Sequence, residues 1–332
     1  MVGALVVSGL WLLGPDVFPG ARTAQVAPAL NEPAGLAAAE APAPSYERRL
    51  RRLKVEASVA RVELARRQAA QRARERRVKR EKRRLAALLS TPFTFTIGSF
   101  NVLGSQHSSP GGQKASYPDA PVRTARAVRL ARAHGVDILG AQELQEDQLN
   151  GLTAGTGMKA WPGYAWGSKE TDNSILYDPE VFELVRGDVF HITFMGRTRP
   201  QPIVRLRHLA TTRELYVVNV HPSAGDGKYA TERQRGYATI AGVVSRLHAE
   251  GLPVLLTGDM NDREAFYCGV VATTALTASN GGGSGCAPPP GPIPVDWVVG
   301  AGVSWSKYWR DTTPVENRTS DHFFISATAT VE

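Results

Sequence analysis

The chain of 332 residues carries 39 Lys and Arg against 31 Asp and Glu, is 42% hydrophobic and has two cysteines. That is enough for one large domain or two small ones, and too little cysteine for a disulfide framework. No apolar run reaches the roughly 18 residues that span a bilayer unaided, which excludes a polytopic membrane protein. The formal charge of +8 comes from one stretch: residues 47–84 hold 17 Lys and Arg against 5 Asp and Glu, whereas the chain from Thr91 onward holds 21 against 23. The basic balance therefore says nothing direct about nucleic-acid binding by the larger C-terminal part, although the basic segment can draw polyanions or an anionic membrane surface.

Residues 1–29 open with an apolar run, Val2 to Leu13, of signal-peptide length but without a basic n-region. With Ala27-Pro28-Ala29 as a cleavage-like triplet, they are expected to be a signal or membrane anchor, a disordered apolar N-terminus being the alternative. Residues 30–45, rich in Pro and Ala, read as linker. From Tyr46 to Leu89 there is no Pro or Gly, and Ala, Arg, Lys, Leu and Glu dominate, so residues 46–90 are expected to form one long basic helix. Leu50, Leu53, Val59, Val62 and Leu64 hint at a coiled-coil stripe, but Ala65 to Lys82 offers only alanines and Val78, too few apolar residues to sustain a heptad seam. A basic arm and a solvated spacer are both open readings of this helix.

After Thr91-Pro92 the pattern changes to strands alternating with amphipathic helices. Strands are expected at Phe93–Phe100, Val136–Gly140, Ser174–Tyr177, Ile203–Leu206, Leu215–Asn219, Pro253–Thr257, Val295–Val299 and Phe323–Ile325, with helices at Ala120–His134 and about Ala230–His248. So many strands with so few helices predict two packed sheets with helices outside. Residues 91–332 are expected to be one domain of this kind.

Polar residues at strand ends are held at the rim of a sheet, where chemistry is usually placed. Asn101 follows the first strand, Glu143 the second, His221 the strand Leu215–Val220, and Asp259 and Asn261 the strand Pro253–Thr257. Asp296 lies within Val295–Trp297, and Asp321-His322 follow Ser320. Singly, each is an ordinary turn former or solvated side chain. Together they supply carboxylates, amides and imidazoles, the inventory for a hard divalent cation and proton transfer at a phosphate. There is no cysteine ligand set and no His-x-x-x-His, which argues against structural zinc or a zincin helix.

In order, Ser99-Phe100-Asn101-Val102, Ala141-Gln142-Glu143-Leu144, Val218-Asn219-Val220-His221, Thr257-Gly258-Asp259-Met260-Asn261, Val295-Asp296-Trp297 and Ser320-Asp321-His322-Phe323 resemble the motifs of the endonuclease/exonuclease/phosphatase superfamily over residues 93–331. The resemblance implies a four-layer α/β/β/α sandwich of two mixed sheets. It also implies Mg²⁺, or Mn²⁺, held by Glu143 with Asn101 and Asp321, directly or through water. Asp259 and Asn261 would orient the attacking water, His221 would donate to a non-bridging phosphoryl oxygen, and His322 with Asp296 would form a His–Asp dyad; the base is either His322 or Asp259. For a further carboxylate between the Glu143 and His221 motifs the candidates are Asp172, beside Asn173, and then Glu170. Arg205 and Arg207 alternate on a strand and are candidates to reach a substrate phosphate, while Glu232-Arg233-Gln234-Arg235 reads as a solvated helix face.

Cys268 and Cys286 flank a loop with Gly281-Gly282-Gly283, and Pro288-Pro289-Pro290 follows it; pancreatic-type deoxyribonucleases, in the resemblance, place a disulfide after the Gly-Asp-x-Asn motif. Paired, the two would contribute on the order of 3 kcal/mol and fit export; two buried thiols are the alternative. The reaction expected is metal-dependent phosphodiester hydrolysis by one in-line attack of water. The first reading of substrate is nucleic acid, cut by a secreted or membrane-anchored enzyme, with no obligate protein partner evident. A small-molecule or lipid phosphoesterase is second, with Asp262-Arg263 as a phosphate-binding edge and Trp305, Tyr308 and Trp309 as candidate membrane contacts. A non-catalytic binding module on a helical stalk is third.

Overall fold

The computed structural model describes residues 44–163 and 172–332. The apolar N-terminal segment, its Ala27-Pro28-Ala29 triplet, nearly all of the expected linker and Glu170 lie outside the described residues. The chain forms two compact units, one ending at Ala73 and the other running from Arg74 to Glu332. Helix α1 (Pro44–Leu89, 46 residues) matches the expected basic helix. Its apolar residues Leu50, Leu53, Val59, Val62 and Leu64 are all exposed, so helix-forming composition rather than burial of a stripe carries it. Ion pairs one turn apart, Arg52–Glu56 and Glu63–Arg67, run along its surface. No described helix is long and apolar enough to cross a membrane.

The second unit contains two six-stranded sheets. In spatial order the first is β11 (Ser304–Asp311), β12 (Phe324–Val331), β1 (Phe93–Asn101), β2 (Ile138–Gln142), β4 (Asn173–Tyr177) and β3 (Lys159–Trp161). The other is β5 (Phe182–Phe194), β6 (Arg197–His208), β7 (Glu214–Val220), β8 (Val254–Asp259), β10 (Asp296–Ala301) and β9 (Thr277–Ala278). β1–β2 and β7–β8 are parallel and the remaining pairs antiparallel. Helices α3 (Ala120–Ala133) and α4 (Glu146–Thr156) flank the first sheet and α5 (Lys228–His248) the second, with short helical turns α2 (Ser105–Ser108), α6 (Glu264–Phe266) and α7 (Thr313–Glu316).

Both faces of the central strands are covered, and the period of two shows in what each residue touches. On β8, Leu255 faces the other sheet while Val254 and Leu256 face α5; on β7, Val217 faces inward while Val218 packs toward Tyr237 and Ile240 of α5. The layer between the sheets is built from Phe95, Ile97, Ile138, Leu206, Val217, Leu255, Val298 and Ile325. Outside the first sheet, Phe100, Leu139 and Phe324 meet Ala127 of α3 and Leu149 and Leu152 of α4. The result is the expected α/β/β/α sandwich.

Strand polarity gathers the motifs. β1 and β2 run parallel, as do β7 and β8, while β10 and β12 run antiparallel to β8 and β1. The C-terminal ends of the first four and the N-terminal ends of the other two therefore share one rim. Near that rim the inward-facing positions turn polar. Asn219 Oδ1 accepts from Gln142 Nε2 (2.6 Å) and Thr257 Oγ1 (3.1 Å), and Asn219 Nδ2 donates to the carbonyls of Ala141 and Ser174. Gly140 must be glycine here, since a Cβ would stand 2.0 Å from Thr257 Oγ1.

Two features depart from the sequence expectations, the β5–β6 hairpin and the placement of the β11 aromatics, whereas the cysteines pair as expected. β5 was not legible, and β6 is three times as long as the strand expected at Ile203–Leu206; the two join through Met195 and Gly196, both with positive φ, the geometry of a tight hairpin turn. Trp305 and Tyr308 of β11 pack against the inter-sheet core, whereas Trp309 is exposed. Cys268, in a π-helical turn Tyr267–Val271, is joined to Cys286 in a disulfide.

Candidate active site

The rim brings Asn101, Glu143, His221, Asp259, Asn261, Asp296 and His322 into one network centred on Asp259, which is buried. Its Oδ2 lies 3.0 Å from Asn101 Nδ2, 3.3 Å from His221 Nε2 and 3.5 Å from His322 Nε2, and its Oδ1 accepts the Asn261 N–H at 2.9 Å. On the far side of His322, Nδ1 meets both oxygens of Asp296 at 3.0 and 3.1 Å. The antiparallel register sets Asp296 directly opposite Asp259, so the dyad carboxylate and the central carboxylate are neighbours by construction.

Glu143 stands immediately after β2 with φ +57, and Asn261 after β8 with φ +51. Neither needs this conformation for chain reversal alone, and residues with a Cβ adopt it at a cost of order 1–3 kcal/mol, a pattern found where a side chain must be aimed. Glu143 Oε1 accepts from Asn101 Nδ2 (2.9 Å), and Oε2 lies 3.3 Å from His107 Nε2. Asn101 Nδ2 thus bridges Glu143 and Asp259, while its Oδ1 accepts the Leu103 N–H. Asn261 is fixed by donation from Nδ2 to the Pro222 carbonyl.

The electrostatics follow from burial among imidazoles. Burial alone would push Glu143 up, but hydrogen bonds from His107 and Asn101 and the field of His221 outweigh it and hold the carboxyl at about 2. Asp259 is likewise pushed up by burial, yet His322 and His221 hold it well below the ordinary carboxylate range. For Asp296 burial wins and raises the carboxyl. Burial would lower His322, but Asp296 and Asp259 together raise it well above the ordinary imidazole value. Dyad and central carboxylate therefore sit at opposite extremes, the pattern that separates a proton carrier from a fixed charge.

A cation is expected on the residues around Glu143. Ligand atoms of Glu143, His221 and Asp259 lie within 4.8 Å of one another, as do those of Asp259, Asp296 and His322. Two ionised carboxylates converge on a single N–H donor, Asn101 Nδ2, at the place where positive charge is best held. This oxygen-rich set fits a hard divalent ion that keeps most of its waters. Asp321 is ion-paired with Lys114 at 3.0 Å and supplies no atom to either converging group, so its expected part in holding the ion would be through water.

Other expectations divide. Asp172 is at the rim, but paired with Arg199, and its carbonyl accepts the Leu144 N–H beside Glu143. Asn173 is buried and donates to Gln201 Oε1, which also accepts the His221 N–H; it supports His221 rather than facing a substrate. Arg205 is not at the rim. It pairs with Glu214, as does Arg207, because β6 runs antiparallel to β7 and only its Arg199–Gln201 end reaches His221. The solvated reading of Arg233 also fails: the side chain is buried, donating to the Ser223 and Gly225 carbonyls and lying 3.2 Å from Asp262.

Sequence reasoning missed His107, Lys114 and Arg123. The first two come from the loop and turn between β1 and α3, which show no periodic signal. Arg123 did leave one, falling at i+3 from Ala120 on the face that also carries Ala127 and Ala131. Buried there without a carboxylate in contact, it donates to the carbonyls of Val102, Leu103, Gly104 and Thr319, tying the segment after Asn101 to the segment before Asp321.

A paired-sheet sandwich with buried carboxylates and imidazoles at one rim defines a hydrolase of the phosphoesterase type. The sequence profile of the Endonuclease/Exonuclease/phosphatase family matches residues 98–322, and the chain belongs to that family. None of the curated proteins matches it. Among solved structures it resembles a family member from Bacteroides thetaiotaomicron (17% identity, 73% of this chain and 99% of that one, TM-score 0.57). It also resembles a mannosyl-6-phosphatase from B. thetaiotaomicron VPI-5482 (17% identity, 71% and 99%, TM-score 0.55) and the catalytic domain of human nocturnin with bound sulfate (16%, 71% and 94%, TM-score 0.53).

Proposed function

We propose that the chain is a Mg²⁺-dependent phosphodiester hydrolase, a secreted or membrane-anchored nuclease acting by in-line attack of water. The observation that carries this reading is the convergence of Asn101, His221 and His322 on one oxygen of the ionised, buried Asp259, with Glu143 alongside. Glu143 would hold the cation, helped by Asp321 through water, while Asn101 orients the Glu143 and Asp259 carboxylates through Nδ2. When bound, the ion neutralises charge on a phosphoryl oxygen.

Asp259, fixed by the Asn261 N–H, accepts a hydrogen bond from the attacking water and sets its line of approach. Proton transfer is assigned to His322 rather than Asp259 on geometry, because Asp296 holds the ring through Nδ1 with Nε2 turned toward the central carboxylate, and a carboxyl held far below its ordinary range is a poor acceptor. Donation from His322 Nδ1–H to Asp296 leaves Nε2 to exchange the proton. His221 donates to the non-bridging oxygen on which charge accumulates.

The disulfide and the apolar N-terminus support an extracytoplasmic location. The 17 Lys and Arg between residues 47 and 84 support retention of an anionic polymer or surface by the helix. A small-molecule or lipid phosphoesterase is the second reading, favoured by the near balance of charge from Thr91 onward. The fold accommodates such substrates, as the mannosyl-6-phosphatase illustrates.

The test is product release from plasmid DNA and from bis-p-nitrophenyl phosphate by the full chain, with Mg²⁺, with EDTA, and with His322→Ala. Nicking that needs both metal and histidine supports the nuclease. Cleavage of the small diester alone transfers the assignment to the second reading. Loss of both with Mg²⁺ and Mn²⁺ contradicts catalysis and leaves a binding module.

A further inference from the structure

Beside the dyad a cavity of about 520 Å³ opens away from His322 and Asp296. Two arginines line it, from distant points of the chain: Arg263, after β8, and Arg310, in β11. Arg263 Nε donates to the Ile293 carbonyl (2.8 Å) and Arg310 Nη1 to the Pro292 carbonyl (2.7 Å), so both guanidinium groups are anchored on neighbouring carbonyls of one extended strip. Both therefore line one cavity, and neither has a carboxylate partner among the described residues. Each group uses one of its five N–H donors in these bonds and has others for an anion. Arg310 lies over the Phe323 ring at 5.6 Å, which fixes the plane of its guanidinium. Of the acidic residues lining the cavity, Asp321 is engaged by Lys114 and Asp296 by His322, which leaves Glu264 as the local opposing charge.

Two guanidinium groups that are anchored on backbone carbonyls and keep free N–H donors in one cavity are pre-organised to take an anion. We propose that Arg263 and Arg310 form a subsite for a second phosphate of the substrate, distinct from the scissile one and lying on the dyad side of it. This rests on the phosphoesterase reading of the neighbouring site and narrows its substrate class to phosphoesters that carry another phosphate. That phosphate is either the next one along a nucleic-acid strand or one on a phosphorylated small molecule. The arginines are specificity-determining residues, since they meet substrate away from the reacting atoms.

The test compares kcat/KM of the full chain on thymidine dinucleotides with and without a terminal phosphate, and on a sugar bisphosphate against the sugar monophosphate. The variants are Arg310→Gln, Arg310→Lys and the double Arg263→Gln/Arg310→Gln, each checked for a wild-type melting profile. Wild type should prefer the substrate with the extra phosphate, and the preference should fall about tenfold or more in the Gln variants, as expected for a lost charge-assisted bond, and be largely retained in Arg310→Lys. Preference on the dinucleotides identifies the strand phosphate, and preference on the sugar identifies the small molecule. No preference in wild type, or a preference unchanged in the double variant, overturns the subsite.

If wild type hydrolyses none of these, the phosphoesterase reading fails, and the subsite is judged separately with inorganic pyrophosphate in EDTA. A rise in melting temperature present in wild type and absent in the double variant supports it. The same rise in both proteins, or in neither, overturns it.

Discussion

The layer between the two sheets has two ends that share the same strands and the same alternation yet differ in every inward-facing residue. At one end Phe95, Phe182, Leu206 and Leu215 fill the space, with the rings of Phe95 and Phe182 edge-on at 5.4 Å. At the other, Ser99, Gln142, Asn219 and Thr257 exchange hydrogen bonds and lead to Asn101 and Asp259. The apolar end gains from area removed from water and tolerates imprecision of side-chain placement. The polar end gains little net stability, because its hydrogen bonds replace those to water, but each group fixes the next in one orientation. Stability and chemistry are thus segregated along the strands rather than between domains.

The strongest break of this comparison is at the dyad. His322→Ala should lower kcat per folded molecule on bis-p-nitrophenyl phosphate by about a hundredfold or more, as steady-state kinetics normalised to the folded fraction would show. Leu206→Ala at the other end should do the reverse, destabilising by about 2–5 kcal/mol with kcat per folded molecule unchanged. Asn219→Ala joins the two ends and should move both readouts. It leaves Gln142 Nε2, Thr257 Oγ1 and two carbonyls without their partner, destabilising by about 1–3 kcal/mol, and it loosens β2 and β8 where they deliver Glu143 and Asp259.

The last effect expected is on acid stability. Glu143 titrates near 2 when folded against about 4.5 when unfolded, so its contribution is complete above about 4.5 and is lost as pH falls toward 2. Metal-free Glu143→Gln should therefore show a shallower loss of stability over that window than wild type, measured by urea melts. An unchanged acid limb would show that the imidazole contacts of Glu143 do not persist in solution.

Much of this was legible in the sequence because both sheets are buried on both faces, so central strands read as dense apolar runs, and motif residues stand where those runs stop. β5 was not legible: its buried Phe182 is cut off from buried Phe190 and Ile192 by a register shift at Leu184/Arg186 and a run of exposed and half-buried residues, and the turn into β6 uses Met195 at positive φ, where Asn, Asp or Gly would have announced a hairpin. Arg205 and Arg199 lie six residues apart on one strand, and only register tells which end reaches His221; sequence alternation alone cannot. His107 and Lys114 come from irregular chain without periodicity, placed by Arg123, whose position on the apolar face of α3 signals burial but not the backbone carbonyls it bonds. The pairing of Asp321 with Lys114 was illegible for the same reason, since Lys114 lies in that irregular chain.

The claim that the polar end forms a cation-assisted hydrolytic site is tested most directly by titrating Mg²⁺ against bis-p-nitrophenyl phosphate hydrolysis in the full chain and in Glu143→Gln. The account predicts no turnover in EDTA, saturable activation in wild type, and an activation midpoint raised about tenfold or more in Glu143→Gln, as expected when a carboxylate ligand is lost. Turnover that persists in EDTA, or the same Mg²⁺ midpoint in both proteins, would contradict it.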